Sequence, residues 1–212
     1  MYLTRVKIET RDRKKLKDLV HITSIHGWIE NCFPKEMEEK TRSRKLWRID
    51  ELRNEKYLLL LSETPPEAEV LERYGVPGTV QTTDYDKLLN LLEKGKRARF
   101  RITLNPVKSL TNEDKDKRGI IVPCQSIEDQ GKYFLERTEK NGFAVEENEF
   151  RIVEKGYVEL WKKGHQRVKL SKATYQGTLT ITDVEKFKKT LIEGMGKKKA
   201  YGFGLMTIIL EA

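Results

Sequence analysis

The sequence predicts an α+β protein, and three observations lead there. The first hundred or so residues read in the order β-α-β-β-α-β. Beyond a polar break, the remainder fits a second unit of that order with an added hairpin, although no internal sequence repeat accompanies it. No apolar run approaches the roughly 18 residues that would span a bilayer, and MYLTRVKIETRDRKK lacks an apolar signal core, so a cytoplasmic globular protein is expected.

The elements follow in order. Tyr2 to Ile8 alternates apolar and polar residues, as a half-buried strand does. A helix of about 20 residues is expected from Arg13 to Phe33, with Asp12 as its N-cap and Pro34 as its stop. Lys45 to Asp50 and Tyr57 to Leu61 read as strands, Tyr85 to Lys94 as a helix, and Arg97 to Ile102 as another alternating strand. Asn105-Pro106 ends this unit, and Thr111 to Gly119 reads as a loop. The expected division is an N-terminal domain over 1–105, a linker over 106–119 and a C-terminal domain over 120–212.

In the second part, Ile120 to Val122 reads as a strand and Ile127 to Lys140 as a helix. Strand-like pieces follow at Phe143 to Val145, Phe150 to Val153, Tyr157 to Trp161 and Arg167 to Leu170, the last two joined by the turn Lys162-Lys163-Gly164-His165. Thr178 to Ile181, a helix from Asp183 and a strand from Phe203 to Leu210 complete the chain.

Charge points to a polyanionic partner. The net charge is +9, of which 13 Lys or Arg against 6 Asp or Glu from Arg151 onward contribute +7. Such a local excess is a footprint for nucleic acid or an anionic membrane, and without a basic amphipathic helix bearing a wide aromatic face, nucleic acid is favoured. The hairpin residues Lys162, Lys163, His165, Arg167 and Lys169 suit a ribbon that clamps phosphates in a groove. The structural alternative is an edge hairpin kept from aggregating by its lysines.

GMGKKKAYGFGLMTI, from Gly194 to Ile208, combines Gly194, Gly196, Gly202 and Gly204 with Lys197, Lys198 and Lys199. It is neither a P-loop, since Lys198 follows Gly196-Lys197, nor a dinucleotide fingerprint, since Lys199 stands where a third glycine belongs. The element order, helix before loop and strand after it, is also the reverse of both templates. No nucleotide cofactor is expected, and polymeric phosphate is the better candidate; a lysine-rich helix end complementing the dipole is the alternative.

Cys32 and Cys124 stand far apart, and His21, His26 and His165 lack neighbours at metal-binding spacing, so no metal held by protein side chains alone is expected. His21 and His26 are five residues apart and point in different directions on a helix. His26 lies near the stripe of Leu19, Ile22, Ile29 and Phe33, as either a core-edge histidine or a general acid or base.

His26-Gly27-Trp28 and Cys32-Phe33-Pro34 after an MYLTRV strand resemble the start of CasE, the precursor-RNA endoribonuclease of type I-E CRISPR systems. Arg99-Phe100-Arg101 with Asn105-Pro106-Val107-Lys108, Tyr175 to Ile181, and the terminal glycine signature continue the resemblance to the end of the chain. It implies two tandem ferredoxin-like (RRM-like) domains with a basic hairpin in the second, and a CRISPR repeat RNA stem-loop as substrate. It also implies metal-independent cleavage at the 3′ base of the stem by 2′-hydroxyl attack, and retention among the other subunits of the surveillance complex. His26 falls on the family's catalytic histidine. Some relatives carry a tyrosine three residues before it, where this chain has Thr23. Thr23, Ser24, His21, a lysine of the C-terminal loop, or no residue remain as its assistants. A non-catalytic double-RRM-like RNA-binding module is the competing reading, and a sheet-based DNA-binding or scaffold protein a third.

Overall fold

The computed structural model describes residues 1–110, 119–161 and 167–211. The first sheet contains β1 (Tyr2–Lys7), β2 (Leu46–Leu52), β3 (Glu55–Ser62) and β4 (Gln81–Asp84) in the antiparallel order β2-β3-β1-β4. Between β1 and β2 lie α1 (Arg13–Asp18), α2 (Ile22–Asn31) and α3 (Pro34–Glu38); α4 (Ala68–Glu72) lies between β3 and β4, and α5 (Asp86–Leu89) follows. This is a ferredoxin-like βαββαβ unit, closed by a strand that the sequence reading passed over. QTTD has no apolar alternation because all of β4 is exposed at the sheet edge.

The second sheet explains where the expected closing strand went. It contains β5 (Arg97–Leu104), β8 (Phe143–Ala144), β9 (Phe150–Trp161), β10 (Arg167–Ile181) and β11 (Met206–Leu210), ordered β11-β5-β10-β8 with β9 also paired to β10. With α6 (Ile127–Leu135) and α7 (Val184–Glu193), it forms the second ferredoxin-like unit, and β5 is its first strand. Arg97 to Leu104 therefore opens the second unit rather than ending the first, so sheet membership changes before residue 97 and not at Asn105. β4 already occupies the edge of β1 that a closing strand would take, and β5 pairs with β10 and β11 instead.

Ile120 to Val122, expected to begin the second unit, instead forms β7 (Ile120–Pro123), paired with β6 (Val107–Leu110) in a separate hairpin. Part of the expected linker is thus strand; residues 111–118 lie outside the described residues. Long β9 and β10 form the added hairpin, pairing Trp161 with Arg167 at its outer described end, and the expected Lys162 to His165 turn also lies outside the described residues.

The single helix expected over Arg13 to Phe33 is two helices. Asp12 caps α1, accepting from the Lys14 and Lys15 amides at 2.8 and 3.3 Å, but α1 buries no residue and ends at Asp18. His21 in extended conformation starts α2, which buries Ile22, Trp28 and Ile29. Pro34 begins α3 instead of only stopping α2, a position where its missing N–H costs nothing. The helix expected from Tyr85 to Lys94 shrinks to the four residues of α5.

The leucine run of β3 reflects a sheet covered on both faces. Leu58 and Leu60 join Trp28, Ile29 and Trp47 in one core, while Leu59 and Leu61 join Leu46, Phe100 and Leu104 in the other. Each core crosses the boundary between units: Leu46 and Leu61 enter that of the second unit, and Leu160, Leu170 and Phe203 enter that of the first.

Candidate active site

Alternation along β2 prepares the site. Leu46, Arg48 and Asp50 share one face of the strand, while Trp47 and Ile49 share the other. Trp47 donates from Nε1 to the Ala200 carbonyl at 3.0 Å, tying β2 to the glycine-rich segment. On the opposite face, buried Arg48 donates to the carbonyls of Arg101 and Leu205, both at 2.8 Å. These bonds hold the two units around a common cleft.

The glycine-rich loop is shaped chiefly by packing. All four glycines have positive φ: Gly194 at 75°, Gly196 at 84°, Gly202 at 77° and Gly204 at 90°. Gly204 donates to the Thr103 carbonyl at 2.8 Å, and the Met195 amide donates to the Gly204 carbonyl at 3.1 Å, so the loop closes on itself and on β5. At Gly202 a Cβ would lie 2.9 Å from the Trp47 ring, in addition to the left-handed strain. Gly202→Ala is therefore expected to lower unfolding stability by about 1–3 kcal/mol, read as a reduced urea midpoint; an unchanged midpoint would show that the loop does not depend on this contact.

His26 projects from the middle of α2 with 31% of its side chain exposed, so it is not a sealed core histidine. The buried residues of α2 fix its direction, and the Trp28 indole pins the helix by donating to the Val70 carbonyl at 3.1 Å. The Glu30 carboxylate, one turn on, lies 3.9 Å from His26 Nδ1. From the glycine-rich loop, Tyr201 sets its ring against the imidazole, with centroids 5.7 Å apart and planes at 61°. Beside Tyr201, a cleft of about 190 Å³ is lined by Ile22, Ile25 and Val158 at the base of the hairpin. The histidine helix, glycine loop and hairpin base thus meet.

The predicted residues divide accordingly. Thr23 lies half-buried on α2, three residues before His26. Lys197 and Lys198 are exposed on the loop, whereas Lys199 is half-buried; burial, then the charge of Arg44, lowers its ammonium pKa. Arg167 and Lys169 are exposed on β10, with Lys169 paired opposite Glu159. Lys162 and Lys163 lie outside the described residues. Among the described residues, no group of three or more His, Cys, Asp and Glu is placed to hold a metal ion.

Two features escaped the sequence reading. Tyr201 is 175 positions from His26 in the sequence, and only the fold joins them. The other is a basic cleft of about 600 Å³ where Arg137, Lys140, Lys186, Lys189, Lys197 and Lys199 gather against one carboxylate, Glu193. Its lysines on α7 were visible, but their convergence with α6 and the loop was not.

The site and the two βαββαβ units define a double ferredoxin-like protein with an accessible histidine beside a basic surface. Residues 1–209 match the family described as CRISPR associated protein, and the chain belongs to that family. It is 27% identical over 219 residues to the CRISPR-associated endoribonuclease Cse3 of Thermus thermophilus, covering 98% of this chain and 99% of the relative. A solved structure of the CRISPR endoribonuclease Cse3 bound to 19 nt RNA is similar at 25% identity and TM-score 0.79, with 98% of each chain covered. The fold is also shared with Cas6e from Escherichia coli str. K-12, at 19% identity, TM-score 0.61 and 98% of each chain.

Proposed function

We propose that this chain is an endoribonuclease that binds the stem-loop of CRISPR repeat RNA and cuts precursor CRISPR RNA at the 3′ base of the stem. It then keeps the product as a subunit of the type I-E surveillance complex in the cytoplasm. The observation that carries this reading is the position of His26, accessible to solvent and next to a loop bearing three lysines. The whole-length relationship to an endoribonuclease supports the activity.

The reaction follows from RNA's own chemistry. The 2′-oxygen attacks the adjacent phosphorus in line, the bond from phosphorus to the 5′-oxygen breaks, and a 2′,3′-cyclic phosphate and a 5′-hydroxyl result. One proton leaves the 2′-hydroxyl and one reaches the departing 5′-oxygen; the His26 imidazole, with one nitrogen that accepts and one that donates, serves that transfer. Exposed lysines of the loop and hairpin neutralise the phosphates and fix the strand. An enzyme that cuts once and retains its product needs modest acceleration, much of it supplied by alignment of the 2′-hydroxyl.

The test is cleavage of the host's repeat stem-loop in EDTA, with and without a deoxyribose at the scissile nucleotide. All-ribose RNA is expected to yield fragments with cyclic phosphate and 5′-hydroxyl ends, and the single deoxy substitution to abolish them. A shifted band without any new fragment would instead identify a non-catalytic RNA-binding module.

A further inference from the structure

We infer that Tyr201 is a positioning residue for His26: its ring, delivered by the glycine-rich loop, holds the imidazole in the orientation that proton transfer requires. This inference rests on the proposed ribonuclease reading. Its starting point is an oddity of the site. His26 is a partly exposed side chain on a helix, and the Glu30 carboxylate one turn on lies 3.9 Å from Nδ1, beyond hydrogen-bond distance. An exposed imidazole with one loose neighbour samples several rotamers, whereas in-line displacement tolerates little misalignment.

Tyr201 supplies the second wall. Its ring meets the imidazole at 61° with centroids 5.7 Å apart, an edge-to-face arrangement favoured for aromatic pairs. The residues on both sides of it are fixed to β2. Ala200 before it accepts the Trp47 indole hydrogen bond at 3.0 Å, and Gly202 after it lies flush against the same indole, with φ at 77°. The tyrosine itself is half-buried and packs on the core shared by Ile22, Ile25 and Phe203. Tyr201 is therefore held at both its backbone and its ring, and can impose an orientation on a more mobile neighbour.

The same loop joins the histidine to the basic cleft. Lys197 and Lys199 line that cleft, and the short helical turn Lys199–Tyr201 carries the tyrosine. An RNA phosphate drawn to the lysines loads the loop that orients His26, so binding and catalytic alignment act through one segment.

Tyr201→Phe, Tyr201→Leu and Tyr201→Met separate ring packing from the hydroxyl and from simple space filling. The readouts are the single-turnover cleavage rate with enzyme in excess, the Kd for a repeat stem-loop blocked by 2′-deoxyribose, and the His26 ring-proton resonances. The phenylalanine variant is expected to cleave within about threefold of the parent and to keep the ring-current-shifted His26 signals. The leucine and methionine variants are expected to cleave about 100-fold more slowly, with Kd within about twofold and the His26 signals moved. Parental cleavage by a folded aliphatic variant would overturn the inference. So would a folded phenylalanine variant that cleaves about 100-fold more slowly than the parent, a result readable even if neither aliphatic chain folds. If the parent itself does not cut RNA, the ribonuclease reading fails, while a His26 χ1 that is single-rotamer in the parent and the phenylalanine variant but averaged in the leucine variant, read from Hα–Hβ couplings, still shows that Tyr201's ring holds the imidazole.

Discussion

Replacing His26 with alanine is expected to slow cleavage of the repeat stem-loop by about 10³-fold, within the range for loss of a general acid or base, while leaving RNA affinity within about twofold. The split follows from where His26 stands. Its side chain is 31% exposed, and the residues that anchor α2 are Ile22, Trp28 and Ile29, so truncation removes little packing. Affinity comes instead from phosphate neutralisation by lysines on other elements, which the substitution leaves intact. Single-turnover cleavage and band-shift titration of the same preparation measure the two effects separately. Full activity in the alanine variant would remove His26 from the mechanism; a parallel loss of binding and melting temperature would make it a structural residue.

The sequence made the strand periods and the histidine legible, but not which strand joins which sheet. Arg97 to Leu104 alternates clearly, yet alternation gives a strand its faces and not its neighbours. The polar Gln81–Asp84 strand carried no apolar signal because an exposed edge needs none, and missing it left the first unit apparently unclosed until Arg97. The break between α1 and α2 was hidden for a related reason: RKKLKD has acceptable helix formers, but no side chain that the core retains.

At the site, the glycines are conspicuous in the sequence, and glycines beside lysines suit the approach of a polymeric phosphate. Their positive φ values and close contacts with Leu46, Trp47 and Met195 show packing as their main task, a fact of distance that no local pattern contains. Lys197 and Lys198 were legible as exposed charge. Tyr201 read as one aromatic among glycines, and only the bond from Trp47 to Ala200 shows why it faces α2.

Arg48→Ala is expected to destabilise the protein by about 3 kcal/mol, the lower end for breaking a buried, hydrogen-bonded charge pair. Arg48 is 2% exposed, and its guanidinium divides its donors between the units. Two bonds of 2.7 Å go to Asp50 on its own strand, while the carbonyls of Arg101 and Leu205 and the Thr207 hydroxyl each accept at 2.8 Å across the boundary. The lower end applies because Asp50 keeps Arg101, whose Nε lies 3.4 Å away. Burial pushes the Asp50 carboxyl up, but hydrogen bonding and charge from Arg48, then Arg101, outweigh it and hold it below the usual carboxylate range. A folded-state pKa below the unfolded one stabilises at pH above the unfolded value, about 3.9 for Asp, and the contribution is lost as pH falls through the folded value. The gap between parent and Arg48→Ala in urea unfolding should therefore be widest near neutrality and narrow in acid. Arg48→Lys should recover little of it, because one ammonium cannot reproduce a planar fork directed at acceptors on β2, β5 and β11. A gap that stayed constant down to pH 3 would show that Arg48 acts through its bonds to the Arg101 and Leu205 carbonyls and the Thr207 hydroxyl, and through its packing, and not through Asp50. Because Trp47, its chain neighbour, holds the loop that carries Tyr201, loosening β2 at Arg48 should also slow cleavage, and restoring stability with an osmolyte should restore the rate.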